Sequence, residues 1–382
     1  MVAAPFSPIG SCEQPSLGAA NKISSVIRIL SRAGRPVVLI NSAHNAKELR
    51  WTRSYRHSFG FGVSAEVIDL PTLPIRSLGK AINLTEARSV ARRISESQPS
   101  LIWAYNGYAF ESLLSLAVQR NSTTPLVLEI EDWPTARRRS GHPKPWIDAF
   151  LFRKMLKKAS VVTFVNETVK NRVGQIWGKT LLLPGIINPS LVGPSAPRVP
   201  FSSQPYTLGY FGTLSEEKGC AVLLELIEEL PPDWRLSITG AGPLLDDFLS
   251  AAETHPDRIK CTPHAPESEL YDSMRNVDAI VNPHSPISQM GNGVFPFKIF
   301  EAIATDRVLI STSLPACGLD LTAAAMWFEG DVASLSQTLR RASEFYRQHN
   351  EGIRRLGESV RRLYSEDAVY DRLRILLPAV LH

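Results

Sequence analysis

The sequence predicts two doubly wound α/β domains, each with a parallel sheet covered by helices on both faces. Three observations lead to this prediction. Apolar runs of strand length alternate with helical stretches through the first half of the chain. Residues 184–205 contain six prolines, which exclude a helix or a central strand and indicate a linker. The alternation starts again beyond residue 205, as a second parallel sheet requires.

The first half is predicted to begin with an amphipathic helix, because Ile23, Val26, Ile27 and Leu30 share one helical face. The helices predicted here are residues 21–33, 85–97 and 109–119, and the strands are residues 36–41, 65–70, 101–105, 125–130 and 161–165.

In the second half, the predicted strands are residues 206–211, 234–239, 279–282 and 308–311, and the predicted helices are residues 220–230, 244–252, 332–347 and 351–377. Open α/β sheets bind ligands beyond the carboxyl ends of their strands, so we expect a cleft at the carboxyl edges of both sheets.

The composition argues against several classes of protein. No apolar run approaches the ~18 residues that cross a bilayer, and the first residues lack the features of a signal peptide, so a cytoplasmic location is expected. The four cysteines are far apart, which argues against a zinc site and against a disulfide framework. Neither a metal nor a cofactor is expected. The net charge of +5 suits a nucleotide phosphate or an anionic membrane.

The most informative stretch is a glycine-flanked loop that runs into a short amphipathic helix. Backbone N–H groups of the loop, from Gly291, Asn292, Gly293 and Val294, can bind an anion at the start of a helix. Lys298 adds a point charge suited to phosphate.

Glu301 lies one helical turn beyond Lys298, on the same face. Its carboxylate can accept hydrogen bonds from a ribose diol, so the pattern predicts a pocket for a sugar nucleotide. A loop-to-helix junction without a ligand is the alternative.

Three other segments follow predicted strands. Gly212 allows a sharp turn that leads through Thr213 to Lys218, whose charge lies just before the next helix. A second tight turn contains Gly242. His264 stands between two prolines in a loop that suits a wall against a nucleobase. Taken alone, each segment is better interpreted as an ordinary turn or loop.

Together these segments resemble the nucleotide-binding half of the family 4 retaining glycosyltransferases, which have the GT-B fold. The resemblance covers residues 206–315, whereas the first half is similar only in architecture. The motifs that carry it, in order, are Gly212 to Gly219, Gly240 to Pro243, Leu270 to Pro283 and Pro296 to Ala302.

The resemblance implies a role for each matching residue. Lys218 would contact the donor diphosphate and Glu301 the ribose hydroxyls, while the loop Gly291 to Val294 would offer its N–H groups to the donor. The chain departs from the family pattern at Thr213, where an arginine is common, and at Gly293, where a first glutamate is common. A subgroup with a Pro-x-Lys-x-Phe-Glu motif shares the second departure.

The resemblance also suggests acceptor residues in the first half. Gly18 and Ala19 fall where the family has a glycine-rich loop, and Glu131 falls where many relatives carry a histidine. Glu131 and Asp132 end a predicted strand, where a carboxylate can orient an acceptor hydroxyl or take its proton. A salt bridge to nearby arginines is the alternative for Glu131.

Residues 133–160 are strongly basic and interleave apolar side chains at roughly helical spacing. Such a segment can lie on an anionic membrane, and an ordinary surface helix is the alternative. Nucleic acid is not expected as a partner, because no recognisable binding module is present.

The sequence therefore predicts a glycosyltransferase that retains the anomeric configuration, with a nucleotide sugar as donor and a glycan or lipid-linked acceptor. Residues 1–190 are expected to bind the acceptor, residues 191–365 the donor, and residues 366–382 to form a helix that packs back on the first domain. The catalytic set is Glu131, Asp132, Lys218 and Lys298. A sugar-nucleotide epimerase, an inactive sugar-nucleotide-binding subunit and a two-domain solute-binding protein are the alternatives.

Overall fold

The structure is a computed structural model that divides the chain into two compact units. The first unit comprises Met1–Pro184 and Glu366–His382, and the second comprises Gly185–Gly291 and Phe295–Ser365. The residues that the structure describes are 1–7, 17–43, 49–72, 81–131, 144–174, 176–192, 198–263, 265, 267–284, 296, 298–314 and 316–381.

In the first unit, the described strands form one sheet in the order β3-β4-β2-β1-β5-β6-β7-β8. These strands are β1 (Val2–Ala4), β2 (Val38–Asn41), β3 (Arg53–Ser58), β4 (Ser64–Asp69), β5 (Ile102–Tyr105), β6 (Leu126–Ile130), β7 (Val161–Phe164) and β8 (Lys179–Leu182). The helices are α1 (Leu17–Ser31), α2 (Ala81–Glu96), α3 (Ala109–Val118), α4 (Lys144–Lys158) and α5 (Glu167–Val173). The strand order reverses between β1 and β5, where a doubly wound sheet opens for a ligand.

In the second unit, six described strands form a parallel sheet in the order β11-β10-β9-β12-β13-β14. They are β9 (Tyr206–Phe211), β10 (Trp234–Gly240), β11 (Ile259–Pro263), β12 (Ala279–Asn282), β13 (Val308–Ser311) and β14 (Ala325–Trp327). The helices are α6 (Cys220–Glu229), α7 (Leu245–Thr254), α8 (Glu267–Arg275), α9 (Lys298–Ala304) and α10 (Val332–Tyr364), and α11 (Glu366–Leu376) returns to the first unit. Here the order reverses between β9 and β12.

The predicted fold class is confirmed, since both units are α/β with mainly parallel sheets. One exception is β3, which pairs antiparallel with β4 at the edge of the first sheet. It escaped prediction because its side chains are polar and largely exposed, and apolar periodicity marks only strands that are buried.

Two helices were predicted here, at 332–347 and 351–377, and the break between them is wrongly placed, because α10 and α11 are divided at Ser365. A single helix, α10, runs from Val332 to Tyr364. Its buried face carries Leu339 and Ala342 before the polar residues 348–350, and Ile353 and Val360 after them. These positions keep the helical period across the polar stretch, so packing holds the helix together there. The chain leaves the helix at Ser365, which is extended.

The proline-rich segment is not a simple spacer. Ile187 and Leu191 are buried in the second unit, and Phe201 packs edge-on against the Trp234 ring with a centroid distance of 5.9 Å. The division between the units falls between Pro184 and Gly185.

A buried ion pair joins α11 to α1. The Arg28 guanidinium donates through Nε to Glu366 Oε1 at 2.7 Å and through Nη1 to the Phe59 carbonyl at 2.7 Å. Both members of the pair are buried. Charges can remain in such a place only because each satisfies the other, so the pair fixes where the chain re-enters the first unit.

We expect Arg28→Met to lower the free energy of unfolding by about 3–5 kcal/mol, because the Glu366 carboxylate would stay buried after losing its main partner. The measurement is urea unfolding followed by tryptophan fluorescence. Arg35→Met, at an exposed position just beyond the same helix, is the control and should unfold like the wild type. Equal midpoints for the two variants would show that the pair does not hold α11.

Candidate functional site

Three glycines bring the carboxyl ends of β9, β10 and β12 together in the second unit. A Cβ atom at Gly219 would overlap the Pro283 carbonyl oxygen, and Gly219 has a φ of 75°. A Cβ at Gly240 would overlap the Gly212 carbonyl oxygen, and one at Gly242 would overlap that of Leu214. Only glycine permits these approaches, so the turns that follow the strands pack backbone to backbone.

Lys298, at the first position of α9, is held against this region. Its ammonium lies over the Tyr210 ring, 4.0 Å from the centroid. The Tyr210 hydroxyl in turn donates to the Thr213 carbonyl at 2.7 Å. Removal from water, together with the nearby charge of Lys218, lowers the pKa of Lys298 from 10.5 to about 8. The site therefore carries a desolvated positive charge next to a second one.

Lys218 ends a short 3-10 turn, Glu216–Lys218, directly after β9 and its loop. The Lys218 ammonium lies 3.3 Å from His284 Nε2 and 3.7 Å from the Glu217 carboxylate. Lys218 and Lys298 are thus close enough to influence one another, although they are 80 positions apart in the sequence.

Glu301 lies on the helix that Lys298 begins, one turn further on. Its side chain is buried, with 7% of the residue exposed, and Oε1 accepts a 2.8 Å hydrogen bond from the Tyr271 hydroxyl. Tyr271 belongs to α8, so a second helix fixes the carboxylate of α9.

The other predicted residues of this half fall into two groups. Thr213 and Gly242 lie in the packed turns, where the Thr213 carbonyl also accepts a contact from the Cys220 thiol at 3.5 Å. The predictions for His264 and for the loop Gly291, Asn292, Gly293 and Val294 concern residues outside the described part of the chain.

In the first unit, Glu131 follows β6 at the carboxyl edge of the sheet. Its carboxylate is ion-paired with Lys22 of α1, and its side chain is 18% exposed. Lys22 also lies 2.9 Å from Glu129 Oε1, and the Trp103 indole donates to Glu129 Oε2 at 2.8 Å. The cation next to Glu131 is thus a lysine from α1, where the sequence offered nearby arginines as the alternative partners.

Gly18 and Ala19 lie in the first turn of α1, one turn before Lys22, with Gly18 exposed. Asp132 lies outside the described residues. The structure therefore brings Glu131 and the start of α1 to one edge of the first sheet.

Sequence reasoning missed four residues of these clusters: Lys22, Tyr210, Tyr271 and His284. Each contacts a predicted residue that is distant in sequence. Tyr271 stands in the motif Leu270 to Pro283, although no role was predicted for it there, and the other three stand in no motif. His284 had one usable signal, because it comes two residues after a predicted strand in the half where the other motifs lie.

Chemically, the second unit presents two neighbouring ammonium groups beside closely packed turns, and such paired cations can bind anions. Among the described residues, no group of three or more His, Cys, Asp or Glu side chains is placed to hold a metal ion.

We expect Lys298→Met to stabilise the protein at pH 7. The folded state holds Lys298 at a lowered pKa, so its partly desolvated charge costs stability below about pH 8, and this cost is relieved between pH 8 and 10.5. The gain at pH 7 should be on the order of 1–3 kcal/mol and should shrink toward pH 10. Urea unfolding at both pH values measures it. Lys260→Met, at an exposed position, is the control. A destabilised variant at pH 7 would show that the ammonium is well solvated.

Two family models match successive parts of the chain. The model described as "Glycosyl transferase 4-like domain" matches residues 18–179, and the one described as "Glycosyl transferases group 1" matches residues 205–344. No curated protein sequence matches the chain at a significant level.

Several solved structures share the fold along the whole chain. Sucrose-phosphate synthase from Thermosynechococcus elongatus aligns with a TM-score of 0.71 and 14% identity, covering 99% of this chain and 98% of the other. HepE from Anabaena, in complex with UDP, aligns with a TM-score of 0.65 and 14% identity, covering 99% of each chain.

The catalytic domain of starch synthase IV from Arabidopsis thaliana, bound to ADP and acarbose, aligns with a TM-score of 0.61 and 13% identity, covering 100% of this chain and 99% of the other. At these identities the likeness concerns the fold. The shared fold and the two family models, matched in order along the chain, indicate that this protein is a glycosyltransferase of the GT-B fold.

Proposed function

We propose that the protein is a retaining, hexosyltransferase-type glycosyltransferase of family 4 that moves a sugar from a nucleoside diphosphate to an acceptor hydroxyl. The observation that carries the proposal is the pair of ammonium groups, Lys218 and Lys298, at the carboxyl edge of the second sheet. Negative charge grows on the diphosphate as the bond to the sugar breaks. Preorganised cations at that point stabilise the transition state more than the ground state.

Glu301 is proposed to bind the ribose of the donor. Its carboxylate is fixed by the Tyr271 hydroxyl and lies one helical turn from Lys298, a spacing suited to a ribose next to a diphosphate. Two structures of the same fold contain a nucleoside diphosphate, UDP in HepE and ADP in starch synthase IV, which supports this class of donor.

The first unit is proposed to bind the acceptor, a glycan or a lipid-linked glycan. Glu131 is the residue proposed to contact the acceptor hydroxyl, because its partly exposed carboxylate can accept the hydroxyl proton or orient the oxygen. The pairing with Lys22 holds this side chain in place at the edge of the sheet. Synthesis of a polysaccharide, glycolipid or glycoconjugate is the proposed setting. Retention is proposed from the resemblance of the motifs around Lys218 and Lys298.

We also propose that the first unit docks on an anionic membrane surface through α4. The outward face of this helix exposes 81% of Trp146 and 58% of Phe150, with Ile147 between them. The Lys154 ammonium lies 4.4 Å from the Phe150 ring centroid, and Lys157 lies 5.8 Å from that of Trp177.

Aromatic side chains interleaved with lysines are typical of surfaces that insert at the level of lipid headgroups. Among the described side chains of α4, the only carboxylate is Asp148, which is buried and accepts from the Ala109 N–H at 3.0 Å. Elsewhere in the described part of the chain, no helix is both long and apolar enough to cross a bilayer. The proposed location is the cytoplasmic face of a membrane.

Lys218→Ala is expected to weaken binding of UDP or ADP by about 10–100-fold, because one charge-assisted contact to the diphosphate is lost. Thermal shift with each nucleotide measures this, since a ligand at ~100 times its Kd stabilises the folded state by about 2.7 kcal/mol. Glu301→Ala should weaken binding of the nucleotide but not of inorganic diphosphate, and Lys260→Ala is the matched control. Wild-type affinity in both Lys218→Ala and Glu301→Ala would refute the proposed donor site.

Product analysis by NMR separates the alternatives. A longer glycan with the donor's anomeric configuration supports retaining transfer, whereas a changed nucleotide sugar indicates epimerisation. Tight donor binding without turnover in the presence of acceptors would indicate an inactive binding subunit.

Vesicle sedimentation tests the membrane surface. We expect the protein to bind vesicles rich in phosphatidylglycerol and not vesicles of phosphatidylcholine. Lys154→Gln/Lys157→Gln should weaken binding by about 2 kcal/mol, or on the order of 30-fold, because each lysine near an anionic surface contributes about 1 kcal/mol.

Trp146→Ala/Phe150→Ala should also weaken binding to these vesicles. Trp51→Ala, at another exposed aromatic of the first unit, and Arg92→Gln/Arg93→Gln, on the exposed face of α2, are the controls. If the control variants lose as much vesicle binding as the α4 variants, the effect reflects net charge alone and α4 is not a specific membrane surface.

A further inference from the structure

The ammonium of Lys218 lies between two groups that can hold it. His284 Nε2 is 3.3 Å away and Glu217 Oε1 is 3.7 Å away. An ammonium group can only donate hydrogen bonds, so Nε2 is the acceptor in this contact. The imidazole is therefore neutral here, with its proton on Nδ1.

His284 stands on a rigid base, whereas Glu217 does not. His284 is buried directly after β12, and its carbonyl accepts a 2.5 Å hydrogen bond from the Thr312 hydroxyl. The Thr312 carbonyl in turn accepts from the Ser311 hydroxyl at 2.7 Å, and the Asn282 amide donates to that hydroxyl at 3.0 Å. This chain of hydrogen bonds ties His284 to the ends of β12 and β13.

Glu217 lies in a three-residue 3-10 turn, and its side chain is 60% exposed. Its contact with Lys218 is long and reaches into solvent, so it contributes little to stability. Glu217 nevertheless competes with His284 for the Lys218 ammonium. A carboxylate cancels the positive charge of the lysine, whereas a neutral imidazole leaves it intact.

We propose that His284 is a positioning residue for Lys218. The imidazole holds the ammonium at the switch point between β9 and β12 and away from Glu217, so that its full charge is available to an arriving diphosphate. This inference rests on the proposed function, since it assumes that Lys218 binds the diphosphate of the donor.

Side chains that hold a binding group in place contribute through preorganisation, because the group loses less freedom when the ligand arrives. The burial of His284 and the hydrogen bonds that anchor its backbone fit it for this role.

The test compares His284→Gln with His284→Asn, which differ by one methylene. The glutamine amide reaches the position of Nε2 and can accept from Lys218, whereas the asparagine amide reaches only that of Nδ1. We expect His284→Gln to keep the donor KM within about threefold of the wild type. His284→Asn should raise the donor KM about tenfold, as expected for one lost hydrogen bond to a charged group, with the acceptor KM unchanged.

A second arm removes the competitor. In His284→Asn the ammonium of Lys218 is expected to turn toward Glu217, so adding Glu217→Gln should recover at least half of the lost donor affinity on a logarithmic scale. Glu217→Gln alone should change the donor KM by less than about twofold. The non-additivity is the readout that a purely structural role of His284 would not produce.

If His284→Asn does not fold cooperatively, Thr312→Val replaces it, because this change removes a hydrogen bond that anchors the His284 backbone while the imidazole itself is kept. The donor KM should then rise about threefold. Equal impairment of His284→Gln and His284→Asn, or an additive effect of Glu217→Gln, overturns the inference. Unchanged kinetics also overturn the inference, whether in His284→Asn or, where that variant does not fold, in Thr312→Val.

The proposed donor site and the proposed role of His284 can be refuted separately. If neither UDP nor ADP stabilises the wild type and Lys218→Ala changes nothing, the proposed function fails first. If the wild type binds the nucleotide and Lys218→Ala weakens it while His284→Asn binds normally, only the role of His284 is lost.

Discussion

The backbone of Gly219 meets the backbone of Pro283 with no room for a side-chain carbon between them. This contact joins the loop that follows β9 to the end of β12, the two strands that flank the reversal of strand order in the second sheet. Two similar approaches, at Gly240 and Gly242, close the neighbouring turn of β10 on the same loop. Lys218 is carried to its place by this packing, because it precedes Gly219 in the chain.

The neighbouring positive charges in the second unit lower the stability of the folded state. Two ammonium groups lie near each other, and desolvation has lowered the pKa of Lys298 to about 8. A lysine placed over a tyrosine ring at 4.0 Å gains some cation–π attraction, yet the partly desolvated charge remains costly. Strongly perturbed groups of this kind concentrate at sites that bind or transform ligands, since an anion relieves the cost when it binds.

The first unit resolves its charges differently. Lys22 is shared by Glu129 and Glu131, so the buried ammonium is fully compensated within the protein. One carboxylate, that of Glu131, remains partly exposed at the edge of the sheet. A compensated, acidic site suits a neutral hydroxyl acceptor, and a site with two neighbouring ammonium groups suits a diphosphate. The contrast in charge between the two units follows the division of substrates that we propose.

The sequence by itself determined the fold class, most strands and the positions of Lys218, Lys298 and Glu301 at ends of strands or starts of helices. These features are local, because apolar periodicity, glycine and proline act within a few residues of the chain. The sequence did not predict the edge strand β3, because its side chains are polar. It also did not predict the continuous helix α10, because packing maintains the helix across the polar residues 348–350.

Only the tertiary structure decided which side chains meet. Lys22 finds Glu131 across 109 positions, and Lys218 finds His284 across 66, with no motif that joins either pair. Parallel strands bring distant parts of the chain to one edge, and the identity of the neighbour there depends on strand order and on backbone packing. The sequence shows which charged groups are present, but the fold determines their partners and therefore their chemistry.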